Sequence, residues 1–266
     1  MIEEKKSQPH LRRINLTIMV SIIALGSATL LSYFFVDERV FSWLWRHPSD
    51  WPKNDWVQAL GLLGKSYVLV WLLLNWICIS GRTRLATIGL LGLLLAGSIV
   101  HPVKLLARRP RPQHVIKAHL EQEDTSGVIQ SWSFPSGDTA AVFAVATALA
   151  PFVAWPWIPV LFTISSAVSL FRVAVLAHYP SDVCAGAAMG IFSGWLILRI
   201  SRRWLSPDWF RLDRYRTIAG LGVVLIPLFI GLFKGVDDLL IFLKSYGALV
   251  AGIYLIAKAG TWSKWL

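Results

Sequence analysis

Apolar residues run along the chain in long blocks, with polar residues gathered in the short stretches between them. Blocks lie at 14–36, 57–80, 85–106, 138–154, 157–177, 182–200, 217–233 and 245–259. Several reach the roughly 20 residues needed to cross a bilayer. Each must then be helical, because a lone strand in lipid would leave its backbone groups unpaired. The pattern predicts an all-α integral membrane protein, multi-pass, with boundaries good to a few residues.

Composition sharpens this picture. The chain has 266 residues, 55% of them apolar, and a mean hydropathy of +0.57. Only 15% are charged, below the roughly 25% of a soluble domain. Met1–Arg13 has the cationic flavour of a signal peptide's leading region. The apolar run after it is too long for a signal core and lacks a small-residue cleavage pattern, so it reads as a retained helix. Cys78 and Cys184 both lie inside apolar runs and read as core or lipid-facing side chains rather than a disulfide.

The net charge of +11 invites a nucleic-acid reading, but the charges cluster at the ends of spans and argue against it. With the N-terminus in the cytoplasm, slightly more than half of the 26 Lys and Arg fall on the inside. The excess grows when the basic residues of the polar motifs are set aside, which favours that orientation. The retained first helix and the absence of a retrieval signal favour a bacterial inner membrane or a plasma membrane.

Between the blocks, 37–56 is rich in Trp and Pro and reads as an interfacial aromatic belt or short surface helix, or, more sharply, as a lid that helps a lipid enter. The polar stretch 107–135 carries His114, Lys117, His119, Glu121, Glu123 and Asp124, whose spacing reads as solvated loop rather than a metal site. The basic loop 201–216 resembles an interfacial anchor for anionic headgroups. The chain divides into three regions: 1–56, the N-terminal tail, first span and Trp-rich loop; 57–200, a catalytic core; and 201–266, the basic loop and about two extra C-terminal spans.

Three polar stretches sit at ends of apolar runs, where such clusters are costly and usually functional. They run from Lys104 to Arg111-Pro112, from Phe134 through Ser136-Gly137 to Asp138, and from Arg172 through His178 to Asp182. In the predicted topology all of them meet on one side of the membrane, outside if the N-terminus is inside. A pocket there reaches a lipid headgroup while the tail stays in the bilayer.

The residue types suit phosphoryl transfer. Fixed cations stabilise the charge spread over the phosphoryl oxygens. Arg111 and Arg172 can each fork onto two oxygens, and Lys104 acts as a point charge. The backbone N–H groups of Ser136 and Gly137, at a helix start, add donors and a favourable dipole. His178 can serve as nucleophile through a phosphohistidine, with Asp182, four residues on, holding its tautomer. Such a design needs no metal and no other cofactor. Each residue has a plainer reading: Arg172 as a snorkelling anchor, Asp138 or Asp182 as a helix N-cap, His178 as an interfacial histidine. The order and spacing of the three stretches together make coincidence a poor account.

The chain resembles the type 2 phosphatidic acid phosphatase (PAP2) family, whose signature is Lys-x6-Arg-Pro, Pro-Ser-Gly-His and Ser-Arg-x5-His-x3-Asp. Lys104 with Arg111-Pro112 fits the first block. Pro135-Ser136-Gly137 fits the second up to its last residue, and Arg172, His178 and Asp182 fit the third. The resemblance covers roughly 57–200. It implies a six-helix core, phosphate binding by Lys104, Arg111, Ser136, Gly137 and Arg172, a nucleophile at His178 and its partner at Asp182.

There are two departures from the pattern. Phe171 stands where the family usually has Ser, which removes one minor hydrogen bond. Asp138 replaces the histidine that, by resemblance, protonates the leaving group. An Asp needs a raised pKa for that task, and nearby cations oppose it. Three readings stay open: a buried, protonated Asp138; another acid such as His101; or a leaving group that needs little help, as in a diphosphate.

The expected function is a membrane lipid phosphatase acting on a phosphatidate-like phosphomonoester or a polyprenyl diphosphate. The alternatives are a lipid phosphotransferase and a catalytically silent lipid-binding or transport protein. The expected partners are that lipid substrate and the surrounding membrane lipids.

Overall fold

The structure, a computed structural model, describes residues 2–47, 55–80, 83–121 and 132–204, with the isolated positions 222, 223, 225–227 and 243. Among the described residues the regular structure is helical. The helices are α1 (Ile2–Phe35), α2 (Asp37–Arg46), α3 (Asp55–Leu63), α4 (Ser66–Ser80), α5 (Thr83–Ala107), α6 (Pro112–Glu121), α7 (Gly137–Leu149, continued by the 3-10 turn Ala150–Phe152), α8 (Trp157–Ala174) and α9 (Pro180–Trp204). Among the described residues, four helical stretches are long and apolar enough to span a membrane: Asn15–Phe35, Arg84–Ile116, Trp157–Ala174 and Pro180–Ser201. The chain is a multi-pass integral membrane protein. The expected last two spans, 217–233 and 245–259, lie outside the described residues apart from isolated positions.

At the centre α7 packs between α5 and α9, and α1 lies along α9. Lipid tails are as apolar as the side chains, so close backbone approach between small residues holds such helices together. A stripe of glycines, Gly186, Gly190 and Gly194, provides it. A Cβ at these positions would come within 2.5 Å of the Ser136 carbonyl, 2.5 Å of the Ala140 carbonyl and 2.6 Å of the Ala144 carbonyl. On the opposing helix Ala140, Ala144 and Ala148 are buried. The outer face of α1, with Leu16, Met19, Val20, Ile23, Leu30, Phe34 and Phe35 exposed, is apolar and suits a lipid-facing helix.

Two expectations need correction. The block 57–80 is not one straight span: α3 and α4 meet at a bend of 79° at Gly64-Lys65. Close contact explains the corner, because a Cβ on Gly61 would overlap the Phe171 ring, and one on Gly64 would lie 2.9 Å from Val168 and 3.1 Å from the Asp138 side chain. The stretch 107–135 is not simply loop, since α6 starts inside it at Pro112, at the first helical position, where a missing N–H costs nothing. The Trp-rich segment 37–56 begins with a short helix, α2, in line with the surface-helix reading: it exposes Trp43 and Trp45 and buries Asp37.

Candidate active site

The three motif stretches converge. Lys104, near the end of α5, donates from Nζ to the carbonyls of Trp132 at 2.9 Å and Ser133 at 3.3 Å. The chain then leaves the helix through Arg108, whose φ is 45°, and enters α6 just after Arg111. Arg111 lies within electrostatic range of Arg172, Asp138 and Asp182, and Lys104 within range of those three and of Arg111 itself. Arg111 Nε is buried without a hydrogen-bond partner among the described residues, an unusual condition for a cation and one that a bound anion would relieve.

The spacing from Arg172 to His178 is set by how α8 ends. Leu176 takes the left-handed region, φ 56°, and the Arg172 carbonyl accepts from both Ala177 and His178 N–H at 3.1 Å. Backbone outliers of this sort concentrate at functional sites. Pro180 and Asp182 then occupy the first turn of α9. Asp182 Oδ2 accepts from the Tyr179 N–H at 2.8 Å, one half of a capping box.

His178 is buried, at 2% exposure. Its Nδ1 lies 3.6 Å from Asp182 Oδ2, within ion-pair range but longer than a hydrogen bond, and 3.4 Å from Ser133 Oγ. Ser133 in turn donates to Asp182 Oδ2. Burial pushes the imidazole down to about 4 against the opposing influence of Asp182, and Arg111 and Lys104 push the same way. The ring is therefore neutral at physiological pH. With Nδ1 turned to Asp182 and Ser133, Nε2 points to the opposite side of the ring.

The backbone donor expected at Ser136 is engaged within the protein. The Ser136 N–H donates to the Asp182 carbonyl at 2.9 Å and is committed within the protein. Its fully buried hydroxyl is the N-cap of α7, accepting from Thr139 N at 3.4 Å and Thr139 Oγ1 at 3.0 Å. Gly137 lies beside Lys104, whose Cε would be 3.9 Å from a Cβ there.

Asp138 pairs with two cations through one oxygen. Lys65 Nζ is 3.1 Å from Oδ2 and donates to it. Arg172 Nε is 3.0 Å from the same atom, yet it is not aligned as a hydrogen-bond donor. His101 is exposed on α5.

Two residues that sequence reasoning left out complete the cluster. Arg109 donates to Asp182 Oδ1 at 3.0 Å, to Ser181 Oγ at 2.7 Å and to Asp37 Oδ2 at 2.7 Å. Its guanidinium lies 3.7 Å from the Tyr179 ring centroid. Asp37 also accepts from Ser181 N–H at 2.9 Å and Ser32 Oγ at 3.0 Å. The doubled Arg-Pro of Arg109 to Pro112 was a readable signal for the first. Asp37, at the mouth of a Trp-rich segment, carried none.

No curated protein matches the chain. Two solved structures are similar, each with a TM-score of 0.49: Aquifex aeolicus LpxE, at 25% identity over 62% of this chain and 95% of that one, and a transmembrane PAP2-type phosphatidylglycerolphosphate phosphatase from Bacillus subtilis, at 20% identity over 72% and 96%. The sequence model of the PAP2 superfamily matches residues 85–206. That stretch, a little under half of the chain, holds all three motifs and the helices that present them.

Proposed function

We propose that the chain is a membrane lipid phosphatase working through a phosphohistidine, without a metal. The observation that carries the reading is a buried, neutral His178 backed by Asp182 in range of Lys104 and Arg111. Those cations and Arg172 hold the phosphoryl oxygens, Arg111 Nε and Arg172 Nε being buried donors without a partner among the described residues. His178 Nε2 attacks phosphorus, and the charge arising on the imidazole is met by Asp182, which Ser133 and Arg109 hold in place. Water then releases phosphate from the histidine.

A lipid substrate suits the surroundings. A groove of about 510 Å³, lined by Arg39, Val40, Trp43, Leu44, Leu170, Val173 and Ala174, runs between α2 and the end of α8 that bears Arg172. Its walls are almost wholly apolar, as an acyl or prenyl chain requires. The positive-inside bias supports an active face on the outer side of the membrane, such as that of a bacterial inner membrane.

The test is phosphate release by detergent-purified protein in EDTA from phosphatidate, phosphatidylglycerophosphate, a polyprenyl diphosphate and a polyprenyl monophosphate. Release that persists in EDTA and falls to background in His178→Ala is the expected result. Lipid binding with no turnover of any substrate would point to the silent binder. Turnover only with an added acceptor would point to the phosphotransferase.

A further inference from the structure

The reaction needs a proton for the departing oxygen, and the site restricts where it comes from. Asp138, with a cation at about 3 Å on either hand, is placed as a proton acceptor rather than a donor. Arginines keep their protons at any physiological pH. Lys104 already donates to two carbonyls, His178 is occupied as nucleophile, and His101 is exposed on α5.

Lys65 remains. It is within electrostatic range of Asp138, Arg172 and Arg111, so it belongs to the same cluster as the phosphate-binding cations. Of its three N–H groups, one donates to Asp138, and its side chain is 34% exposed. The fold goes to some length to deliver it. It sits at the 79° corner between α3 and α4, where Gly61 lies against Phe171 and Gly64 against Asp138. The two positions at which the chain leaves the family pattern, Phe171 and Asp138, thus meet the same corner.

We propose that Lys65, oriented by Asp138, is the proton donor to the leaving group; this rests on the phosphatase reading above. As His178 Nε2 bonds to phosphorus, the bond from phosphorus to the leaving oxygen breaks and its electron pair goes to that oxygen. A proton from Lys65 Nζ completes the alcohol and leaves a neutral amine. In the second half the amine takes a proton from water as the water oxygen bonds to phosphorus. The phosphorus–nitrogen bond breaks and its pair returns to Nε2.

The experiment compares wild type, Lys65→Arg and Lys65→Met on dioctanoyl phosphatidate, whose alkoxide needs a proton, and p-nitrophenyl phosphate, whose phenolate leaves without one. Thermal unfolding in detergent and inhibition by vanadate report folding and anion binding. Lys65→Arg keeps the charge but cannot give up the proton. It is expected to lower kcat on phosphatidate by roughly a hundred-fold or more, with a loss on p-nitrophenyl phosphate at least about ten-fold smaller and vanadate inhibition retained. Equal losses on both substrates, or full activity on phosphatidate, would overturn the role of Lys65 while leaving the phosphatase intact. A wild type that releases phosphate from neither would overturn the phosphatase reading and this one with it.

Discussion

His178, the proposed nucleophile, is buried, and its environment keeps the ring neutral. Burial holds its pKa at about 4, against an ordinary 6.5. Above pH 6.5 folded and unfolded chains both carry a neutral imidazole, and the group adds no pH dependence. As the pH falls from 6.5 toward 4, the unfolded chain takes up a proton that the folded chain refuses, and stability drops, by about 3 kcal/mol once both forms are protonated. Thermal unfolding in detergent between pH 7 and 4.5 should show a decline that is shallower in His178→Gln. An equally steep decline in the variant would assign the effect to other groups. At this scale the sequence was most legible where chemistry and spacing coincide: Lys104, Arg111, Arg172, His178 and Asp182 gather as expected. At Ser136 a helix-start serine and a phosphate donor look alike in sequence, and only the fold places the Asp182 carbonyl on its N–H.

Among the elements, the pairing of α7 with α9 decides whether those residues meet. Gly186, Gly190 and Gly194 continue the four-residue spacing upward to Asp182, so the same register that closes the helices sets the Asp182 carbonyl on Ser136. Gly186→Ala must push against the Ser136 carbonyl. It should lose about 1–3 kcal/mol of stability and lower kcat, because Asp182 shifts with its helix. Gly97→Ala, with open space around it, should leave melting temperature and kcat near wild type; a comparable loss there would refute the argument from close approach. The apolar blocks announced these helices clearly. The corner at Gly64-Lys65 was hidden because glycine and one lysine in an apolar run are compatible with a straight span, and only contact with Phe171 and Asp138 bends it. The start of α6 had a readable signal in Pro112, masked by the polarity of the residues after it.

Across the whole molecule, Arg109 joins parts of the chain far apart in sequence. It binds Asp37 at the start of α2 and Asp182 at the start of α9, and stacks on Tyr179. Arg109→Ala would leave two buried carboxylates without their cation, a change that costs about 3–5 kcal/mol in comparable buried pairs. Phosphatidate turnover should fall through kcat more than through KM, since Arg109 steadies Asp182 rather than the phosphate. A rise confined to KM would place Arg109 in the binding set instead. A bond between residues 72 positions apart leaves no trace in local pattern, which is why Asp37 was read as interface and the first 56 residues as an appendage to the core. The corner between α3 and α4 has a further consequence, for inheritance. Phe171 requires the bare backbone of Gly61, and Asp138 requires the lysine one residue past Gly64, so these four positions cannot vary freely one at a time. Histidine placed at 138 alone would leave Lys65 beside two arginines without its carboxylate, and should lower stability unless position 65 changed with it.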